Sequence, residues 1–325
     1  MCTSIAMKTG DFYFGRNMDL EYEFGERVVI TPRNYPFEFR KAGLMRNHYA
    51  IIGMATVADG YPLYAEAVNE KGLCIAGLNF PGNAFFSPQA DPEKSNISPF
   101  ELVPWLLGRC ATLEEARKLL ETTQLVAIPF SNHIQLSPLH WHIADQTGSI
   151  VLEATKNGMM IFENPFGVMT NNPPFSFQME NVCQYMNLMT GQPENCFSKV
   201  GNLQPFGLGL GSFGLPGDFS PASRFVKAAY LSTNSICDLD ENSSVSQFFR
   251  ILASVGVPRG SVVLPDGKLQ ITTYSCCINV SKGIYYYTSY FNHQITAVHL
   301  KRENLNGSYL LEYPLKKTQQ IAWAN

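Results

Sequence analysis

Apolar and polar residues alternate with a period of two at both ends of the chain, and in its middle the spacing becomes helical. Strict alternation over four to eight residues marks a half-buried strand, whereas apolar residues recurring every three to four positions mark an amphipathic helix. "CTSIAMKT" and "DFYFGRNMDL" read as two strands around a turn at Thr9-Gly10, a hairpin at the very start of the chain. "YAIIGMAT", "PLYAEAV" and "KGLCIAGL" continue a meander. "SPFELVPWLLGR" predicts a helix, with Ser98 as its cap, Glu101 three residues on and Pro99 at the first helical position. "ATLEEARKLLETT" repeats that relation with Thr112 and Glu115. "LHWHIAD" and "SIVLEATKNG" return to strand spacing, and "FSFQMENVCQYMNL", "SPASRFVKAAYL" and "SSVSQFFRILASV" predict three further helices. The chain closes on the strands of "KLQITTYSCCINV", "GIYYYTSYF" and "ITAVHLKREN". No linker, charge block or fixed-period repeat interrupts this order, which predicts one domain over residues 1–325. The fold class is α+β, with two antiparallel sheets between helical layers; periodicity alone does not separate that arrangement from a simpler α+β sandwich.

Composition narrows the function classes. A hydrophobic share of 45%, with 22 Phe and 15 Tyr, can build a sizeable core. A formal charge of −3 offers no basic face to nucleic acid and no polybasic anchor to a membrane. No apolar run approaches the ~20 residues of a membrane span. The first residues show neither the basic nor the apolar region of a secretory signal. The expected compartment is therefore the cytoplasm, with the eight cysteines as thiols. The adjacent Cys276 and Cys277 point to opposite faces of a strand and read as core.

Cys2, directly behind Met1, is the position that calls for chemistry. A turn at Thr9-Gly10 sets Cys2 opposite Arg16 or Asn17 and brings Arg16 and Asp19 near it. A cationic neighbour favours thiolate over thiol. A free α-amine is partly unprotonated at neutral pH, so a cysteine at a mature N-terminus carries its own base and needs no histidine. The competing reading is plain: Cys2 opens a strand, and Arg16 and Asp19 form a salt bridge. His140 and His142 share a strand face, as zinc ligands can, but no third ligand stands at a suitable spacing, so they read as packed or hydrogen-bonded. "GLGLGSFG" lacks the Gly-Lys-Ser/Thr of a phosphate loop and reads as a flexible loop. "TLEEARKLLE" is an amphipathic helix with a charged solvent face and requires no partner.

Five separated motifs, "MCTSIAM", "FGRNMDLE", "AGLNFPGNA", "MTNNPPF" and "GLPGDFSPASRF", run from the first residue toward the last strands. Together they resemble the choloylglycine hydrolase family, and within it the bile salt hydrolases. The resemblance implies the αββα sandwich of the N-terminal nucleophile hydrolases, no metal or organic cofactor, and cleavage of the amide joining a bile acid to glycine or taurine. It implies Cys2 as nucleophile after loss of Met1, Arg16 as the cation near the thiolate and Asp19 as the carboxylate holding the amine. It further implies Asn79 and Asn171 at the oxyanion and Arg224 bonded into the site; between Asn171 and its neighbour Asn172 the residues themselves do not choose. The related penicillin V acylases usually carry tyrosine at the place of Asn79, so the asparagine favours conjugated bile salts. Met18, Leu20 and Phe24 after the active strand, with Phe130 and Ile134 around "PFSNHI", are candidates for an apolar acyl pocket and could equally be core. The expected assembly is a homotetramer, although "FGLGLGSFGLPGD" lacks the arginine that members often carry in that assembly loop. The alternatives are an acylase for penicillin V or acyl-homoserine lactones, or an apolar-ligand carrier in which Cys2 is structural.

Overall fold

The computed structural model describes residues 1–325. The N-terminal hairpin pairs strand Cys2–Lys8 with strand Phe12–Leu20. Its register differs from expectation: Cys2 faces Met18, and Arg16 faces Ser4. The loop takes three residues rather than two, with the Thr9 N–H donating to the Asp11 carbonyl at 3.0 Å. Gly10 sits so tightly against the Leu239 carbonyl that a Cβ there would collide with it. Facing residues point to the same side of a sheet and successive ones to opposite sides. Cys2, Arg16 and Met18 therefore share one face, while Thr3, Asn17 and Asp19 share the other.

The hairpin lies within a six-stranded antiparallel sheet ordered Val168–Met169, Cys2–Lys8, Phe12–Leu20, Ile271–Asn279, Ile284–Ser289, Asn292–His299. An eight-stranded antiparallel sheet stacks on it, with Leu139–Asp145, Cys74–Asn79 and Tyr61–Asn69 as adjacent inner strands. Helices Pro221–Thr233 and Glu241–Ser254 cover the six-stranded sheet, and Leu102–Arg109 and Leu113–Glu121 cover the eight-stranded one. Single strands feed two cores alternately. Val28 and Ile30 join a 38-residue cluster shared with the hairpin; Val29 between them joins a 26-residue cluster with Leu102 and Leu106. A strand buried on both faces needs a layer on each side, and that decides four layers, αββα, over the simpler sandwich.

The predicted helices form with two changes: the helix read over "FSFQMENVCQYMNL" is α-helical only over Phe175–Val182 and tightens to a 3₁₀ turn at Cys183–Tyr185, and the first helix starts late. Pro99–Glu101 is a 3₁₀ turn, and the α-helix begins at Leu102. The Ser98 N–H donates to Glu101 Oε2 at 2.8 Å, while the Ser98 hydroxyl bonds the Ile128 carbonyl instead of the helix. The strand Arg27–Thr31 is a short continuous apolar run without alternation, and its edge partner Leu311–Pro314 alternates over only four residues, too few to mark a strand in the sequence. Proline is tolerated at such an edge because no ladder donor is needed there. All eight cysteines are free.

His142 joins the sheets: Nδ1 lies 2.8 Å from Ser4 Oγ and Nε2 2.6 Å from Ser149 Oγ. Burial, assisted by His140, pushes it down from 6.5 to about 3. A folded value below the unfolded one gives stability that is complete above 6.5 and is lost as pH falls toward 3, at up to ~1.4 kcal/mol per pH unit. In urea titrations between pH 6.5 and 4, His142→Gln should lose stability with a shallower slope than the wild type.

Candidate active site

Cys2 begins its strand with its side chain on the face toward the second sheet and is 3% exposed. Its sulfur lies 3.8 Å from Met18 Sδ, which is in turn 3.6 Å from Arg16 Nη2. Arg16, two residues back along the neighbouring strand, crosses the inter-sheet space. Its Nη1 donates to the Gly77 carbonyl at 2.6 Å and lies 3.7 Å from Glu66 Oε2. Tyr274 and Tyr285 donate to Glu66 at 2.8 and 2.5 Å. Burial pushes the Glu66 carboxyl up, against the pull of Arg16 and these hydroxyls. Burial alone would lower Arg16, but Cys2, Tyr274 and Glu66 outweigh it and hold the guanidinium charged. Removing one partner of such a pair leaves an uncompensated buried charge, worth about 3–5 kcal/mol. Glu66→Ala should therefore lower unfolding stability in urea by several kcal/mol, with Glu66→Gln losing less because it keeps acceptor and volume.

The opposite face carries the second half of the site. Asp19 Oδ1 accepts from Thr272 Oγ1 at 2.6 Å; Oδ2 is 3.9 Å from Arg224 Nη1 and otherwise unpartnered. Burial raises the Asp19 carboxyl, opposed by Arg224, Thr272 and the N-terminal amine. Arg224 stands in the first turn of helix Pro221–Thr233, which Ser220 caps by accepting the Ser223 N–H at 3.3 Å. Its Nη1 donates to the Cys2 carbonyl at 2.5 Å and to Thr3 Oγ1 at 2.7 Å, and its Nη2 to Asn171 Oδ1 at 2.9 Å. Burial lowers the guanidinium, opposed by Asp19 and Cys2. Asn171 Oδ1 also accepts the Cys2 N–H at 2.8 Å, and Nδ2 donates to the Asn79 carbonyl at 2.8 Å. Asn172 does something else: it bonds the Pro81 carbonyl and Asn83, bracing a surface loop. Met1 prolongs the hairpin, its amine donating to the Asp19 carbonyl at 2.9 Å.

Cys2, Arg16 and Asn79 open on a cavity of about 230 Å³ in which 15 of 21 lining residues are hydrophobic. Met18, Leu20, Phe24, Phe130 and Ile134 all line it, whereas Asp19, Asn171 and Arg224 lie outside its lining. Tyr22, Phe100, Leu136 and Trp141 line it as well and were not among the sequence candidates. Phe100 and Trp141 read as ordinary helix and strand core, and nothing in their spacing distinguishes them. Glu66 was missed for the same reason: a lone carboxylate in a strand carries no local sign of its partner.

The family model for linear amide C–N hydrolases, choloylglycine hydrolase family, matches residues 2–313. The chain belongs to this family. It is 48% identical over its full length to a bile salt hydrolase/transferase of Lactiplantibacillus plantarum, 100% of each chain being covered. The corresponding protein of Clostridium perfringens is 40% identical, again with 100% of each chain covered. A crystal structure of a mutant conjugated bile acid hydrolase from Clostridium perfringens superposes with a TM-score of 0.93 over 100% of both chains, at 38% identity. The αββα arrangement is that of this bile acid hydrolase structure, and the protein is an amide hydrolase.

Proposed function

We infer that the protein cleaves the amide joining a bile acid to glycine or taurine. The observation that carries this reading is a thiol, Cys2, opening on a mostly apolar cavity in a chain that shares full-length similarity with bile salt hydrolases. In this reading Met1 is removed and the Cys2 amine takes the thiol proton. The thiolate attacks the substrate carbonyl beside Arg16, and the resulting oxyanion is met by donors at Asn79 and Asn171. Collapse to a thioester breaks the C–N bond as the amine returns its proton to the leaving amino acid. Water, deprotonated by the same amine, then releases the bile acid and regenerates the thiol. Support for the oxyanion role of Asn171 comes from its carboxamide, which Cys2 N–H and Arg224 lock oxygen-first, leaving the second Nδ2 hydrogen without a protein acceptor. Asn171→Ala is expected to lower kcat by about a hundredfold or more with little change in KM, and Asn172→Ala to have a much smaller effect.

The cavity of about 230 Å³ falls below the usual ligand pocket of roughly 300–1,000 Å³, so part of a steroid body should project out of it past the partly exposed lining residue Ile134. Apolar burial at ~25 cal/mol per Å² supplies most of the binding energy in this reading, which favours a steroid over a phenoxyacetyl group. Side-by-side assays of glycocholate, taurocholate and penicillin V test it. The kcat/KM for glycocholate should exceed that for penicillin V by at least about tenfold, or roughly 1.4 kcal/mol, and Asn79→Tyr should narrow the gap. A better rate with penicillin V would replace the bile-salt reading by an acylase.

We also propose that copies of the chain assemble as a homotetramer. Met186, Phe197, Val200, Phe206, Leu208 and Phe213 are each at least 83% exposed on one excursion between helices, and exposed apolar side chains gathered on one segment suit an interface between copies. The proposed compartment is the cytoplasm, since a thiol nucleophile among seven other free cysteines requires reducing surroundings. No helix is long and apolar enough to cross a membrane.

A further inference from the structure

His140 touches both segments that carry the oxyanion asparagines, and it is 1% exposed. Its strand runs beside Asn79, with Leu139 facing Asn79 and His140 facing Leu78. The ring of Phe80, the residue after Asn79, lies flat on the imidazole, with centroids 4.3 Å apart and planes 3° from parallel. Nε2 is 3.0 Å from the carbonyl of Thr170, the residue before Asn171. A carbonyl only accepts, so Nε2 carries a hydrogen and donates it there. Nδ1 is 3.2 Å from Glu153 Oε1, which also accepts the Phe175 N–H at 2.9 Å, at the start of the helix that follows Asn171. The Thr170 hydroxyl in turn donates to the Pro221 carbonyl at 2.9 Å, on the helix that carries Arg224.

We propose that His140 is a positioning residue for the transition-state oxyanion, fixing the spacing between the Asn79 and Asn171 segments. It touches neither Cys2 nor the cavity, so it acts through the two asparagines. The inference rests on reading those asparagines as the oxyanion donors. A donor displaced by about 1 Å can cost on the order of a hundredfold in rate, and a loosened pair costs part of that.

The test compares His140→Gln with His140→Asn. The Gln amide reaches the place of Nε2 and keeps a donor for Thr170, whereas the shorter Asn reaches only the place of Nδ1 and Glu153. With glycocholate as substrate, His140→Asn should lower kcat by about ten- to a hundredfold, with KM and the rate of Cys2 alkylation by iodoacetamide within about twofold of wild type. His140→Gln should recover most of the loss. In the double variant with Asn171→Ala, His140→Asn should add little to the loss from Asn171→Ala alone, since both act on one group of donors. Equal kcat for the two His140 variants, or a parallel fall in alkylation and kcat, would overturn the proposal. If the wild type cleaves penicillin V and not glycocholate, the substrate reading fails, and the same comparison is read on penicillin V.

Discussion

Cys2→Ala is expected to abolish amide hydrolysis in a protein that still folds, and Cys2→Ser to retain only a trace. No histidine lines the cavity, and the side-chain contact of the sulfur is Met18 Sδ at 3.8 Å. The nucleophile must therefore ionise with only a nearby cation and its own amine to help. A thiol gives up its proton to a neighbouring base far more readily than a serine hydroxyl does. The substitution removes or exchanges one atom at a strand end, so the thermal midpoint should move little. Burial raises Cys74, Cys276 and Cys277 well above the usual thiol range and pushes Cys110 up to about 12, which leaves Cys183, Cys196 and Cys237 as competitors for alkylation. Peptide mapping after iodoacetamide should show activity lost in step with labelling of Cys2. Activity surviving full modification of Cys2 would sink the mechanism.

Protein that keeps Met1 is expected to be inactive. With Met1 in place the Cys2 nitrogen is an amide, whose lone pair is delocalised and whose one hydrogen goes to Asn171 Oδ1 at 2.8 Å. It cannot accept the thiol proton. The Met1 amine is no substitute, since it is held to the Asp19 carbonyl at 2.9 Å, one residue away from the thiol. Freed of Met1, the Cys2 amine gains further hydrogens, and the unpartnered Asp19 Oδ2 is the acceptor we assign to them. Inserting a lysine between Met1 and Cys2, so that the nucleophile stays acylated, should remove turnover without lowering the thermal midpoint. The intact mass of each preparation is measured beside its kcat. Full activity in a preparation whose mass includes Met1 would show that the base lies elsewhere.

Local chemistry determined much of this protein. Period-two alternation marked the hairpin and most inner strands, and cap residues such as Thr112 with Glu115 marked the helices. Because the hairpin is a local structure, the sequence also determined that Cys2, Arg16 and Asp19 come together. It did not determine their register, since the third loop residue depends on Gly10 meeting Leu239 from a distant segment. The remaining residues of the site are long-range. Asn171 reaches Asn79 across 92 residues and Arg224 reaches Cys2 across 222, and only resemblance to a family named them from the sequence. Which of Asn171 and Asn172 touches Cys2 was decided by the register in which Val168–Met169 pairs with the first strand. That Glu66 faces Arg16 and that His140 spans two loops were decided by the stacking of the two sheets. Periodicity records which face of an element is buried, because burial of apolar area is non-directional. A buried polar group must instead find a particular partner at hydrogen-bond distance, and that partner exists only once the distant strands have packed.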